Sequence, residues 1–325
     1  MGIAHHLREI GRGAAGARAL DTEAAHDAMS QVLDGTVTDL ERGAFVMALR
    51  MKGETLEEIT GFLQAVQQRL TPIASDAPVV VLPSYNGARR LPNLTPLLAM
   101  WLAREGARVL VHGPLASPNR VSSAEVLHDL GVPAAGQLAD VHGLWERREP
   151  AFVPTALLSP ALERLLQLRA VLGVRNIGHT LAKMLNPVAG APALRLVNHT
   201  HPEFGALMAG WARTSGADAM LLRGTEGEPV ADPRRQPRME LVLAGREHGE
   251  LSVPAHEGVV TELPLLPRQH DAATTAVYIP SVLSGEKPAP GPIARQVAAL
   301  QAALAALQAD TPARQMRDCR GVVSG

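Results

Sequence analysis

Aromatic side chains are scarce, at 3% of 325 residues, so any core this chain builds must be aliphatic and alanine-rich. There is one cysteine, Cys319, which leaves no disulfide framework possible within the chain and fits a reducing, cytoplasmic setting. Lysine is nearly absent too: Lys52, Lys183 and Lys287 are the only three, and arginine supplies the remaining cations. Arginine suits bidentate contact with phosphate, although a genome rich in G+C favours it on composition alone. No run of about 18 uncharged apolar residues occurs, which argues against a membrane-spanning helix. Met1 to Ile10 lacks the basic start and apolar stretch of a signal peptide. No internal repeat and no long low-complexity tract is found.

What is present is enough apolar material, 46% of the residues, for a large core and one or two domains. The formal net charge of −1 gives no reason to expect a nucleic-acid partner, but its distribution is uneven. Residues 1–70 carry 7 basic and 10 acidic groups, whereas residues 87–238 carry 17 basic and 12 acidic groups.

The first 70 residues read as helices. Thr38 with Glu41, and Thr55 with Glu58, have the spacing at which hydroxyl and carboxylate satisfy each other's free backbone donors. Ile59, Phe62, Leu63 and Val66 then recur at helical intervals, Gly35 and Gly53 punctuate, and Thr71-Pro72 closes the unit. From Val79 the texture changes. Val79–Leu82, Val109–Val111, Ala193–Val197 and Ala219–Leu222 read as buried strands. Helices are expected over Pro96–Gly106, Ser123–Leu130, Ala161–Leu185 with an interruption at Gly173, Phe204–Ser215 and Ile293–Leu307. A further strand is expected at Met239–Leu243, inside a Pro- and charge-rich region, and the last dozen residues are expected to fray. Alternating strands and helices argue for a largely parallel sheet covered by helices.

The segments Leu33–Phe62 (LDGTVTDLERGAFVMALRMKGETLEEITGF), VLVHG at Val109–Gly113, SSAEVLHDLGV at Ser122–Val132 and LGVRNIGHTLAKMLNP at Leu172–Pro187 occur in a telling order. In that order they resemble anthranilate phosphoribosyltransferase and its nucleoside-phosphorylase relatives, over roughly residues 7–230. The resemblance implies an α/β fold of phosphoribosyltransferase-like, nucleoside phosphorylase type. A small all-helical domain, residues 1–72 with helices from about 161–190 added, would join a large α/β domain, residues 73–325, with a mostly parallel central sheet. It also implies a homodimer formed through the helical parts.

The active-site positions depart from that family. Its Gly-Thr-Gly-Gly-Asp loop, whose backbone donors cradle the pyrophosphate of phosphoribosyl pyrophosphate, corresponds here to Pro83, Ser84, Tyr85, Asn86 and Gly87. Proline has no N–H to give, and the Tyr85 side chain crowds a place where bare backbone should meet an anion. Asn93 and Thr95 remain from the next phosphate-contacting motif. His112 and Gly113 survive from Lys-His-Gly-Asn, but Val111 and Pro114 replace its outer residues. The acidic pair that holds Mg²⁺ aligns with Pro229 and Val230, with Glu226 or Glu228 left as the nearest substitute ligand. Loss of one donor of this kind costs about 2.7–4 kcal/mol of transition-state stabilisation in a comparable enzyme. No useful phosphoribosyl transfer is therefore expected, and with it no cofactor, no metal and no catalytic residue.

With SYNGAR, the His-Gly turn and RGTEGE as they stand, the sequence is similar to the YbiB-type branch of the family. That branch implies non-sequence-specific DNA or RNA binding by a homodimer. Arg89, Arg90, Arg120, Arg175, Lys183, Arg223, Arg234, Arg235 and Arg238 are then the candidates for a basic groove along a phosphate backbone. Residual phosphate-loop positions are Ser84, Asn86, Gly87, Asn93, Thr95, His112 and Gly113. Lys183 stands where relatives carry a helix-breaking proline, so the helix is expected to continue and present its charge. An isolated surface arginine is ordinarily solvated or ion-paired. Arg175 equally suits bracing the neighbouring loop, and Tyr85 suits either stacking on a base or a hydrogen-bonded wall. His199 and His201 in a loop make a poor metal pair. One rival expectation is a glycosyl or phosphoribosyl transferase for an altered aromatic or nucleobase-like substrate, which would require Mg²⁺ and phosphoribosyl pyrophosphate; another is an interaction protein that uses the helical domain as a docking surface.

Overall fold

The computed structural model describes residues 2–13 and 15–321, with side chains through residue 310. Four helices open the chain: α1 (Ala4–Ile10), α2 (Thr22–Asp34), α3 (Asp39–Lys52) and α4 (Leu56–Gln67). Both expected capping boxes exist, Thr38 with Glu41 on α3 and Thr55 with Glu58 on α4. Glu58 does more than cap. Fully buried, it accepts from the backbone of Leu20 (3.0 Å) and Thr55 (2.9 Å) and from Lys52 Nζ (2.7 Å), tying together the starts of α2 and α4.

The chain then alternates: β1 (Ile73–Ala74), β2 (Val79–Pro83), α5 (Thr95–Arg104), β3 (Arg108–Gly113), α6 (Ser123–Asp129), α7 (Asp140–Glu146) and β4 (Ala151–Pro154). After α8 (Thr155–Leu158), α9 (Pro160–Leu172), α10 (Gly178–Leu181) and β5 (Val188–Ala189) come β6 (Ala193–His199), α11 (Pro202–Thr214) and β7 (Ala219–Arg223). The chain closes with β8 (Met239–Leu243), β9 (Arg246–Glu247), α12 (Ala272–Leu283) and α13 (Gly291–Gly321). A seven-stranded sheet in the order β4-β3-β2-β6-β7-β8-β9 runs parallel through its first five strands, then antiparallel at β8 and β9. β1 and β5 form a separate parallel pair.

Central β2 is buried along its whole length, as its unbroken aliphatic run requires for a strand covered on both faces. Neighbouring β6 and β7 use their period of two to feed two cores. Leu194, Leu196, Met220 and Leu222 pack towards α5, α12 and α13, whereas Val197, Ala219 and Leu221 join Phe45, Phe62 and Trp211 on the helical side. Residues of α9 and α10 (Leu162, Leu165, Leu166 and Leu181) share that second core with α2 and α4.

Two expectations need correction. The helix foreseen across 161–185 breaks at Gly173 as expected (φ +70), but resumes only as the four residues of α10. It does not continue through Lys183: a single 3-10 turn spans Ala182–Met184, and Leu185 is extended. The C-terminal helix, foreseen over Ile293–Leu307, is helical through Gly321. Fraying of the last dozen residues, and the Cys319 thiol, lie outside the described side chains. Among the described residues no helix is long and apolar enough to cross a membrane.

Candidate functional site

The C-terminal ends of β2, β3, β6 and β7 all open on one edge of the sheet, the place where sheets of this class hold ligands. After Pro83 the chain loops through residues 84–91 before α5. Opposite it, after β7, residues 224–228 fold back in a tight turn pinned by Thr225 N–H and Oγ1 to Val230 O (2.9 and 3.0 Å). Glu226 in that turn is left-handed (φ +53), a conformation uncommon for a residue with a side chain. Gly227 (φ +87) is obligatory, because a Cβ there would lie 1.5 Å from Asn86 Nδ2. Gly113 is required as well, since its Cβ would meet Ser84 O at 1.9 Å.

This turn delivers two carboxylates into the 84–91 loop. Glu228, 1% exposed, accepts from the backbone N–H of Asn86 (2.7 Å) and Gly87 (2.8 Å) through Oε1. Its Oε2 accepts from the hydroxyls of Ser84, Thr95 (3.2 Å) and Ser123 (3.4 Å). Glu226 accepts from the backbone N–H of Arg89 (3.1 Å), Arg90 (2.7 Å) and Leu91 (2.9 Å). Five main-chain donors of the loop therefore already have carboxylate partners. Asn93 orients the assembly, donating to Val121 O (3.0 Å) and accepting from Thr95 N–H (3.2 Å). Glu226 or Glu228 is the nearest substitute Mg²⁺ ligand the sequence leaves, under an expectation of no metal. With their oxygens committed to N–H and O–H donors, and Pro229 and Val230 in place of an acidic pair, these residues do not fit the ion.

The nine expected cations fall into three groups. Arg120, Arg175 and Lys183 point inward and brace the loops. Arg120 donates to Gly87 O (3.1 Å) and pairs with Glu226 (3.6 Å); Arg175 donates to Asn86 Oδ1 and Tyr85 O. Lys183, expected to present its charge, is instead 8% exposed, donating to Asn198 Oδ1 (2.8 Å) and Gly227 O (3.3 Å). Burial, reinforced by the charge of Arg175 and opposed by that of Glu228, pushes its pKa down to about 8. A second group is exposed but paired: Arg234 with Asp232 (3.3 Å) and Arg238 with Glu240 (3.5 Å). Arg89, Arg90, Arg223 and Arg235 are exposed, and among the described residues their side chains form no ion pair.

Arg90, Arg223, Arg234 and Arg235 line one concavity of about 650 Å³, with Glu226 and Asp232 in its wall. A second cleft of about 970 Å³ lies between the helical unit and the sheet edge; Arg50, Arg169, Arg175, Lys183, His179 and Asn198 are among its lining. Glu226 borders both, so the two depressions meet at the turn. Arg89 and Arg238 line neither.

Tyr85 is a wall residue, not a free stacking platform. It is 3% exposed, with its hydroxyl on His112 Nδ1 (2.8 Å). Burial alone pushes the His112 pKa down to about 3, so the imidazole is neutral. Sequence reasoning missed the part played by Ser123, which lies beside Ser84 (2.8 Å) and completes the hydroxyl cluster around Glu228. The only signal for it was its position next to the helix-capping Ser122.

A helical bundle joined to a mostly parallel sheet, with its loops gathered at the strand ends, defines a phosphoribosyltransferase-like protein. Residues 5–70 match the helical bundle domain of the glycosyl transferase family. The chain is 39% identical to the uncharacterized protein YbiB of Escherichia coli (strain K12) over 295 residues, 90% of this chain and 91% of that protein. It is 31% identical over 279 residues to anthranilate phosphoribosyltransferase of Nitratidesulfovibrio vulgaris, covering 83% and 82% of the two. The crystal structure of anthranilate phosphoribosyltransferase (TrpD) from Thermus thermophilus superposes with a TM-score of 0.67 at 24% identity, over 93% of this chain and 89% of that one, which speaks for the fold. The chain belongs to glycosyl transferase family 3, on the branch that includes YbiB.

Proposed function

We propose that this protein is a catalytically degenerate member of its family that binds nucleic acid, DNA in the first place, without sequence specificity and as a homodimer. The observation that carries the reading is the division of labour at the sheet edge. Backbone donors that would cradle a small diphosphate are taken by Glu226 and Glu228, while Arg90, Arg223, Arg234 and Arg235 surround an open concavity beside them. Guanidinium groups on long side chains suit phosphates spaced along a polymer, which need no enclosure. Contacts of this kind read the backbone, so affinity falls steeply with salt and varies little with sequence.

The test is a titration of a labelled random-sequence oligonucleotide at several salt concentrations. Replacing Arg90, Arg223, Arg234 and Arg235 together by Ala should weaken binding and flatten the salt slope by about 3, at 0.7–0.9 per phosphate contact. A wild-type affinity indifferent to salt, or a quadruple variant that binds like wild type, rejects the groove.

A second reading is a pentosyltransferase for an altered aromatic or nucleobase-like substrate. It is favoured by the 970 Å³ cleft, whose lining includes Asn198, a fully buried residue whose Nδ2 has no partner among the described residues. Calorimetric binding of phosphoribosyl pyrophosphate with Mg²⁺ would support this reading over the first.

A further inference from the structure

The turn Gly224-Thr225-Glu226-Gly227-Glu228 does something that neither an open groove nor a transferase requires. Buried carboxylates are rare unless paired, because desolvating the charge costs several kcal/mol after relaxation. Glu228 is nearly fully buried and meets that cost with two main-chain N–H groups and three hydroxyls. That donor set, consecutive backbone amides plus hydroxyls at a strand end, is the kind of concave nest that binds a phosphate group. Cations stand behind it: Arg175 donates to Asn86 Oδ1 and Tyr85 O, and Lys183 to Gly227 O (3.3 Å); burial lowers both pKa values, and the charge of Glu228 opposes that shift only in part. The backbone is shaped to permit the fit. A Cβ on Gly224 would strike Glu228 O at 1.9 Å, and one on Gly227 would strike Asn86.

We infer that Glu228 is a resident anion: its side chain occupies a nest of two backbone amides and three hydroxyls and determines that the protein does not take free phosphate- or diphosphate-sized ligands there. Without that carboxylate, two amides and three hydroxyls face an empty pocket flanked by Arg175 and Lys183, and an inorganic anion is the ligand their chemistry selects. The inference stands independently of nucleic-acid binding, which uses the arginines outside the nest.

The experiment is calorimetric titration of inorganic pyrophosphate into wild type, E228A and E228Q, with thermal unfolding as a second readout of the same binding. Wild type should show no saturable binding. E228A should take up one pyrophosphate per chain, at least ten-fold more tightly than wild type, and gain thermal stability from it. E228Q, which still fills the nest, should behave like wild type towards pyrophosphate. Repeating the titration with E228A combined with R90A and R235A separates the nest from the groove: the gained binding should persist. E228S, which leaves a small hydroxyl for the donors, replaces E228A if the latter does not fold. A folded E228A or E228S without pyrophosphate binding overturns the inference, and so does saturable binding to wild type at comparable affinity. The oligonucleotide titration of wild type reads the nucleic-acid proposal separately, so either result can fail without the other.

Discussion

Lys183 keeps its ammonium group in a place that water hardly reaches, donating to Asn198 and Gly227 on the inner side of the 224–228 turn. Its pKa is pushed down from 10.5 to about 8, so the folded state releases this proton more readily than the unfolded chain does. Below pH 8 both states hold the proton and the burial penalty is present in full. Between about pH 8 and 10.5 the unfolded state binds more protons, and stability must rise with pH. The stability of wild type relative to K183M should therefore grow across that window, by on the order of 3 kcal/mol if the whole shift is realised. Urea unfolding of both proteins at pH 7, 9 and 10.5 measures it; a difference that does not change with pH would show that Lys183 is not held in this way. Nothing in the one-dimensional sequence distinguishes this lysine from an exposed one. A missing proline suggested a longer helix, and only the closeness of Asn198 and Gly227, distant in sequence, shows why the chain turns inward instead.

At the level of elements, local rules carried well where local chemistry decides. Capping boxes at Thr38–Glu41 and Thr55–Glu58, the aliphatic run of β2 and the glycine stop at Gly173 each lie within a few neighbouring residues, and each could be read directly. The loops at the sheet edge could not, because their conformation is set by partners about 140 residues away: Asn86 and Gly87 meet Glu228, and Arg89 to Leu91 meet Glu226. The sequence told that the glycine-rich cradle had been replaced, but not that the replacement had closed it with carboxylates. Gly227 holds that closure at its tightest point. G227A forces a side chain into a left-handed backbone and against the Asn86 amide, and should destabilise the protein by about 1–3 kcal/mol. Chemical unfolding of G227A against wild type checks the size. A loss no larger than that of an Ala replacing an unconstrained surface glycine such as Gly249, whose Cβ would meet open space, would show that the turn is not packed as described.

Over the whole molecule the net charge is −1, so attraction to a polyanion has to come from where the cations face and how many grooves act at once. One concavity lined by four arginines, two of its wall residues being Glu226 and Asp232, is a modest attractor. Two held side by side would act on one strand together, the second contact being made at high effective concentration. The proposed homodimer would give this arrangement, and α3 carries a surface that suits it. Leu40 and Met51 are 83% and 78% exposed, and eleven residues is close to three full turns, so both lie on one face of the helix. A single exposed leucine or methionine is ordinary; a pair aligned on one helix face of the bundle is what a partner would cover. In light scattering at micromolar concentration, wild type should run as a dimer and the L40E/M51E variant as a monomer. If the grooves cooperate, that variant should lose at least ten-fold in affinity for an oligonucleotide long enough to span both, while binding a short one as wild type does. A monomeric wild type, or a monomeric variant with undiminished affinity for the long strand, would leave each groove acting alone.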